Sequence, residues 1–353
     1  MIDPTACATW AEIHAQPQIW RGFGAELDVA GLRAWITAQG ISEVWLCGAG
    51  SSAYIGDIIA AGLLGQDGPT IRAVATTDIV SRPHAHLRGA RRLVISFGRS
   101  GNSAESIGLL DALDALAPDW PRLNITCNAG SAMARRAGCR VLILPSACHD
   151  AGFAMTSSFS TMLLAALAVL DVGHMPADTP ATFAALADDL TALLPIYAAQ
   201  ASALPLPNRA VFIGTGALAM AAREAALKVM ELSGGQIPAL WDSALGFRHG
   251  PKSFVQTGTQ VWLFGHPGAH ASAYEHDLCA ELAAQFPDVP LHRPTLPSKW
   301  PEAWAAPLYV AQAQVAAVVF AAKLGLNIDD PFAGLGTLTR VVAHVPLHPI
   351  KVP

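Results

Sequence analysis

The chain has 353 residues, 52% of them hydrophobic and 14% charged, with a formal net charge of −5. That length exceeds what one core ordinarily serves and predicts two domains. The apolar share excludes a largely disordered chain, and the acidic balance with scattered arginines argues against a nucleic-acid partner.

The opening, MIDPTACATWAEIH, carries an early acid and no basic segment, so it is not read as a secretory signal. No uncharged apolar run is read as long enough to cross a bilayer, AMTSSFSTMLLAALAVL being the nearest. The six cysteines form no CxxC pair, and several sit in apolar strand-like runs where a thiol acts as a small hydrophobe. A reducing cytoplasm is the expected compartment.

Residues 1–40 read as helical, ending with LDVAGLRAWITAQG at Gly40. EVWLCG is a strand that passes through GAGSSA into the helix YIGDIIAAGLL. TIRAVATTDIV reads as a second strand and RRLVISF as a third, which enters the loop GRSGNSAES and a helix. RLNITCN is a fourth strand, followed by AGSAMARRAG, and RVLILP is a fifth, ending at Pro145. Short continuous apolar strands alternating with helices predict a parallel sheet covered on both faces. Residues 154–172 then form a long apolar helix. The stretch 173–208 holds Pro176, Pro180, Pro195, Pro205 and Pro207 around one helix, and is read as an interdomain connection.

The pattern then begins again. RAVFIGTGALA is similar to EVWLCGAGSSA, and QVWLFGHPGAHASAYEH to LVISFGRSGNSAES. Gly214 follows Gly48 by 166 residues and Gly265 follows Gly98 by 167. Two matches at nearly one offset predict an internal duplication, although any two doubly wound domains share strand–glycine–helix turns. The expected fold class is therefore α/β, with two tandem doubly wound parallel-sheet domains and helices on both faces of each. The expected boundaries are an N-terminal helical segment over 1–33, a first domain over 34–189 and a second over 190–353.

The copies differ in chemistry. Arg99 becomes His266, Ser100 becomes Pro267, Asn102 becomes Ala269 and Ser103 becomes His270. Both copies keep the glycines and apolar residues that make the fold; only the first keeps its hydrogen-bond donors. Those donors are read as serving a ligand. A strand that ends in glycine and serine and opens a helix presents backbone N–H groups and partial positive charge. The hydroxyls of Ser51, Ser52, Ser100 and Ser103 add neutral donors and Arg99 a charged one, a set suited to a phosphate dianion. Simple helix capping by Asn102 with Glu105, or Ser103 with Ser106, is the plainer alternative for one or two of them. No acidic residue about twenty residues after CGAGSS is read as the ribose-binding group that a dinucleotide site would want, and no GxxxxGK[ST] occurs.

In the second half, Glu224, Lys228 and Glu231 fall at i, i+4 and i+7 of one helix and share a face. Glu224 is read as part of a solvated Glu–Lys stripe. Glu231 stands just before two glycines end the helix and faces WDSALGFRHGPKS, which carries Asp242, Arg248, His249 and Lys252 around a Gly-Pro turn. A carboxylate and an imidazole are the tools for moving a proton beside a carbonyl and opening a sugar ring. The other histidines lack ligand spacing with acids or cysteines, so no metal and no cofactor is assigned.

CGAGSS, ISFGRSGNSAES, CNAGSAMARRAG, AMTSSFSTMLLAAL, FIGTGALAMAAREAALKVMEL, LGFRHGPKSFV and LTRVV together resemble the double sugar-isomerase (SIS) domain. Their order and phrasing are closest to the galactosamine-6-phosphate deaminase family, formerly called tagatose-6-phosphate ketose/aldose isomerase. The resemblance runs from about residue 30 to residue 348, and HDAGFAMTSSF and DSALGFRHGPKSFV are its most specific parts. The isomerase half of glucosamine-6-phosphate synthase is a more distant relative.

The resemblance implies phosphate held by Ser51, Ser52, Arg99, Ser100 and Ser103, with Thr156 and Ser157 at a helix N-terminus lining the same pocket. It implies Glu231 as the group that shuttles a proton between C1 and C2. It implies His249 as the ring-opening histidine, supplied in the synthase by the neighbouring subunit, and so a homodimer. The synthase has a Schiff-base lysine near its C-terminus where this chain has Arg340. A guanidinium stays protonated and forms no imine, so Arg340 is read as a hydroxyl or phosphate contact. The implied activity is conversion of galactosamine-6-phosphate to tagatose-6-phosphate and ammonia. An aldose–ketose isomerase on a non-amino hexose phosphate, and a catalytically inactive sugar-phosphate sensor, are the alternatives. Ammonia release separates the first, and binding without turnover marks the second.

Overall fold

A computed structural model describes residues 2–173, 178–336 and 338–350. Its strands form two separate sheets, both wholly parallel: a five-stranded one in the order β2-β1-β3-β4-β5 and a four-stranded one in the order β7-β6-β8-β9. The chain divides into two compact units around them, and neither is continuous in sequence.

The five-stranded unit is built from Gln18–Asp150, Ser157–Phe183 and the residues from Gly334 onward. Its strands are β1 (Glu43–Cys47), β2 (Thr70–Ala73), β3 (Leu93–Gly98), β4 (Arg122–Thr126) and β5 (Arg140–Ile143). β3 and β4 are buried along their whole length, as central strands covered on both faces must be. The edge strands β2 and β5 are partly exposed. The helix Ser157–Leu170 is buried at every position. TIRAVATTDIV does not continue as a strand: β2 stops at Ala73 and Thr76–Ser81 is helical. β1 ends at Cys47, so after Val74 and Thr76 have donated to Leu46 O and Gly48 O no partner strand remains to hold the run extended.

The C-terminal residues return to this sheet. Ala104 N donates to Val342 O at 3.0 Å, and Ile350 packs against the cluster of Trp45, Leu113 and Trp120. A boundary that keeps 190–353 together therefore differs from the observed grouping.

The four-stranded unit is built from the residues up to Pro17, Ala151–Thr156 and Ala184–Ala333. Its strands are β6 (Arg209–Gly214), β7 (Ala239–Ser243), β8 (Thr259–Leu263) and β9 (Leu291–His292). Asp329 takes hydrogen bonds from Ala8 N, Thr9 N and Thr9 Oγ1 at 2.8, 2.9 and 2.7 Å. It thereby takes up the first two N–H groups of the helix Ala8–Glu26, the third being taken by Cys7 Sγ.

Among the described residues two helices are long and apolar enough to span a bilayer, Thr179–Ala203 and Glu302–Lys323. The second corrects the sequence expectation, since Ala303–Ala322 is an uncharged run of that length. It is buried from Ala303 through Ala322, which accounts for its hydropathy as core. Most of the expected proline-rich connection is the continuous helix Thr179–Ala203, with Pro195 inside it; Pro176 lies outside the described residues.

Candidate functional site

The turns that leave β1 and β3 sit at the carboxyl ends of the central strands, where open parallel sheets place their ligands. Gly48 is required by close approach: a Cβ there would lie 2.3 Å from the backbone of Ser52. Gly50 follows at φ 57°, ψ −133°, and the helix Ser51–Gly62 opens with no side-chain cap. Ser51 and Ser52 are its first two residues, and both are buried.

After β3, Arg99 is buried and its Nη2 donates to Arg340 O at 2.8 Å. Ser100 Oγ accepts from Asn102 N at 3.2 Å, which leaves the hydroxyl proton available to a ligand. Ser103 is the N-cap of the helix Ala104–Leu116, accepting from Ser106 N at 3.2 Å, and Asn102 Oδ1 accepts from Ala132 N at 2.9 Å. For Ser103 the plainer capping role is the observed one, whereas Asn102 serves the start of the separate helix Ala132–Arg135 and does not pair with Glu105.

Ser157 is also committed within the protein. Asp150, buried, accepts Ser157 N at 3.0 Å, Ser157 Oγ at 2.5 Å, Ser158 N at 3.0 Å and the Ser158 hydroxyl. A carboxylate at the start of the buried helix Ser157–Leu170 thus fills the place that a phosphate would take there. Thr156 is fully buried. Asp150 escapes the sequence reading because it stands seven residues before Ser157, outside any local capping motif. Asp150→Ala should lower unfolding free energy by about 3 kcal/mol or more, since four donors lose a charged acceptor; equilibrium denaturation measures it.

Arg340 reaches back to the same region, with Nη1 donating to Asp150 O. His149 adjoins both guanidiniums. Burial lowers its pKa first, and the charges of Arg340 and Arg99 lower it further against Asp150. Among the described residues its Nε2 is buried without a hydrogen-bond partner. Two arginines and an imidazole of depressed pKa stand together here, and the Ser100 hydroxyl and the helix start at Ser51 lie at the same end of the sheet.

The matching turns of the four-stranded unit have the same backbone and different contents. A Cβ on Gly214 would lie 2.4 Å from the Leu218 backbone, and Gly216 has φ 58°, ψ −128°. Here, however, Ala217 N at the helix start donates to Glu302 Oε2 at 2.7 Å. Glu275, fully buried, accepts Thr215 Oγ1 at 2.7 Å and His266 N at 2.9 Å. His266 Nε2 lies 3.3 Å from Glu302, and that hydrogen bond is the main cause that raises the imidazole pKa. The protein's own carboxylates take up the donors that a bound anion would use. The loss of donor residues from the second copy has this physical counterpart.

The helix Ala217–Leu232 carries Glu224, Lys228 and Glu231. Glu224 and Lys228 are fully buried, which overturns the solvated-stripe expectation for Glu224. Lys228 Nζ lies 3.2 Å from Glu224 Oε1 and 2.6 Å from Glu231 Oε2. Burial pushes the ammonium pKa down, and the two carboxylates outweigh it, so the pKa is raised and the cation is kept. Glu231 is 23% exposed in its side chain, the one member of the three that solvent reaches.

His249 is exposed, between the single-turn 3₁₀ helices Gly246–Arg248 and Pro251–Phe254. The site residues are thus divided: Ser51, Ser52, Arg99, Ser100, Ser103, Ser157 and Arg340 belong to the five-stranded unit, and Thr156, Glu231 and His249 to the four-stranded one. Among the described residues no group of three His, Cys, Asp or Glu is placed to hold a metal ion.

The family model for the SIS domain matches residues 42–171. The chain is 36% identical over 375 residues to D-galactosamine-6-phosphate deaminase AgaS of Escherichia coli, covering 98% of this chain and 97% of that one. It is 35% identical over 359 residues to the protein of the same name from Shewanella sp. (strain ANA-3), covering 97% and 92%. Among solved structures, tagatose-6-phosphate ketose/aldose isomerase from Escherichia coli matches with a TM-score of 0.88 and 32% identity over 98% of each chain.

Proposed function

The chain belongs to the AgaS family of D-galactosamine-6-phosphate deaminases within the SIS proteins, and on that premise we propose that it converts galactosamine-6-phosphate and water to tagatose-6-phosphate and ammonia. The observation that carries the chemistry is Glu231: a partly exposed carboxylate seated 2.6 Å from a fully buried ammonium. The five-stranded unit grips the phosphoryl group through Arg99, Arg340, Ser100 and the helix start at Ser51 and Ser52. That binding energy positions C1 and C2 of the sugar. Ser157 is given no direct part in that grip, since its hydroxyl is committed to Asp150.

His249 assists ring opening by moving a proton between the ring oxygen and O1. Glu231 takes the proton from C2 while O1 gains one from water, giving an enolamine, and returns its proton to C1, leaving a C2 iminium; the proton drawn from water is given back when the ketone forms. Water adds at C2, ammonia departs, and the C2 ketone of tagatose-6-phosphate remains. The steps use only substrate, water and protein groups. Arg340 supports the open chain or the phosphate by hydrogen bonds and takes no covalent part.

The finer architecture belongs to this reading as well. The matched glycine geometry at Gly48 and Gly214, and at Gly50 and Gly216, supports two SIS-type domains arisen by duplication. The self-filled turns of the second copy support one phosphoryl group per chain. A homodimer in which one subunit lends His249 to its neighbour, in the cytoplasm, completes the proposal.

Two experiments test it. Ammonia release should be fastest from galactosamine-6-phosphate when compared with the glucosamine and mannosamine epimers and with the N-acetylated sugars. Faster isomerisation of a hexose phosphate that lacks the amino group, or saturable binding with no turnover, would overturn it. Arg340→Met should raise KM for the phosphorylated sugar by about tenfold or more, the scale of one charge-assisted hydrogen bond, with kcat little changed. An unchanged KM would remove Arg340 from the phosphate grip.

A further inference from the structure

Two cations flank the exposed His249, and both end on one carboxylate. Arg248 precedes the imidazole directly and Lys252 follows it by three residues. Arg248 Nε lies 2.7 Å from Glu281 Oε2, and Lys252 Nζ pairs with Glu281 Oε1. Glu281 comes from a different element, the helix Ala269–Gln285.

The ends of the turn are anchored, Phe247 and Val255 in one core cluster and Gly246 N on Ser243 Oγ at 3.0 Å, and His249 lies in the exposed stretch between them. The two 3₁₀ helices on either side of His249 are single turns without side-chain caps, and they join through Gly250 at φ 121°, a conformation open to glycine and strained for other residues. Phe247 is buried and anchors one end. The His249 ring itself makes no side-chain hydrogen bond among the described residues. Its placement therefore depends on the backbone on both sides, and on both sides the nearest charged side chain is tied to Glu281.

We propose that Glu281 is the positioning residue for His249: a single carboxylate that clamps the residues before and after the imidazole and so sets where its ring stands. The inference rests on the reading that His249 assists ring opening. The hydrogen bonds from Lys252 and Arg248 also hold the Glu281 carboxyl below the usual range, as a clamp that stays ionised requires.

Magnitudes separate this role from a structural one. Ion pairs this exposed contribute less than about 1 kcal/mol each to folding. A displacement of about 1 Å in a reacting group costs up to about 10²-fold in rate. Removal of the carboxylate should thus be nearly silent in stability and plain in turnover.

The test compares the full-length wild type with Glu281→Gln, Glu281→Asp, His249→Asn and the double variant His249→Asn/Glu281→Gln, all acting on galactosamine-6-phosphate. Glu281→Gln should lower kcat by about tenfold to a hundredfold, with KM and melting temperature close to wild type. Glu281→Asp should recover part of the loss. The double variant should fall no further than His249→Asn alone, because an imidazole that is absent cannot be misplaced. Wild-type turnover in Glu281→Gln beside an impaired His249→Asn would overturn the clamp, as would losses that multiply in the double variant. Wild-type turnover in His249→Asn would overturn the ring-opening role and the clamp together.

Discussion

Glu231→Gln is expected to lower kcat for ammonia release by about 10³-fold, within the range that a positioned general base supplies, while sugar-phosphate binding stays within about threefold of wild type. The substitution is nearly isosteric. The amide oxygen can still accept from Lys228 Nζ, now 2.6 Å from the carboxylate, so the buried ammonium keeps a partner. What is lost is basicity alone. The groups assigned to the phosphate, Arg99, Ser100 and Arg340, belong to the other compact unit and are untouched. Two readouts are needed: ammonia release, and exchange of the C2 proton with deuterated solvent followed by proton NMR. Both should fall together if Glu231 handles that proton. Exchange at the wild-type rate in Glu231→Gln would remove it from the proton transfer even if ammonia release were slow.

The strand-to-helix turns are legible in the sequence because their signals are local. Gly48 and Gly214 are read as turn glycines, and each is required by a backbone carbonyl four residues on. The same locality explains Ser103, whose capping of Ser106 N is written within three residues. What the sequence hides is long-range. Asp150 commits Ser157 from seven residues away, and Arg340 meets Arg99 across more than two hundred residues. Glu302 and Glu275 fill the second copy's turns from outside the repeated motif. Helical spacing placed Glu224, Lys228 and Glu231 on one face correctly but carried no information on whether that face meets water or core. TIRAVATTDIV is β-branched through most of its length, and only the end of β1 decides that the strand stops at Ala73. Propensity describes the residue; the partner decides the outcome.

The second large effect concerns Lys228. Lys228→Met should destabilise the fold by about 3–5 kcal/mol, because it removes the ammonium that stands 3.2 Å from the fully buried Glu224 carboxylate. The loss has a pH signature. In the variant the folded state disfavours the ionised carboxyl, so folding raises that group's proton affinity above its unfolded value. Stability is then fully present at pH below the unfolded carboxylate pKa and declines as pH rises through the acid range. Wild type behaves otherwise: the raised pKa belongs to Lys228, so its contribution holds across neutral pH and is lost only as pH rises through the alkaline range. Removing both charges should separate folding from chemistry. The double variant Glu224→Gln/Lys228→Met removes both buried charges and should recover most of the lost stability, as replaced buried pairs commonly do. Its turnover should stay low, because Glu231 has lost the ammonium that holds its carboxylate in place. Urea unfolding from pH 4 to pH 9, set beside ammonia release, resolves the two. Full activity in the restabilised double variant would make the buried lysine a structural ion alone and would take it out of the catalytic machinery.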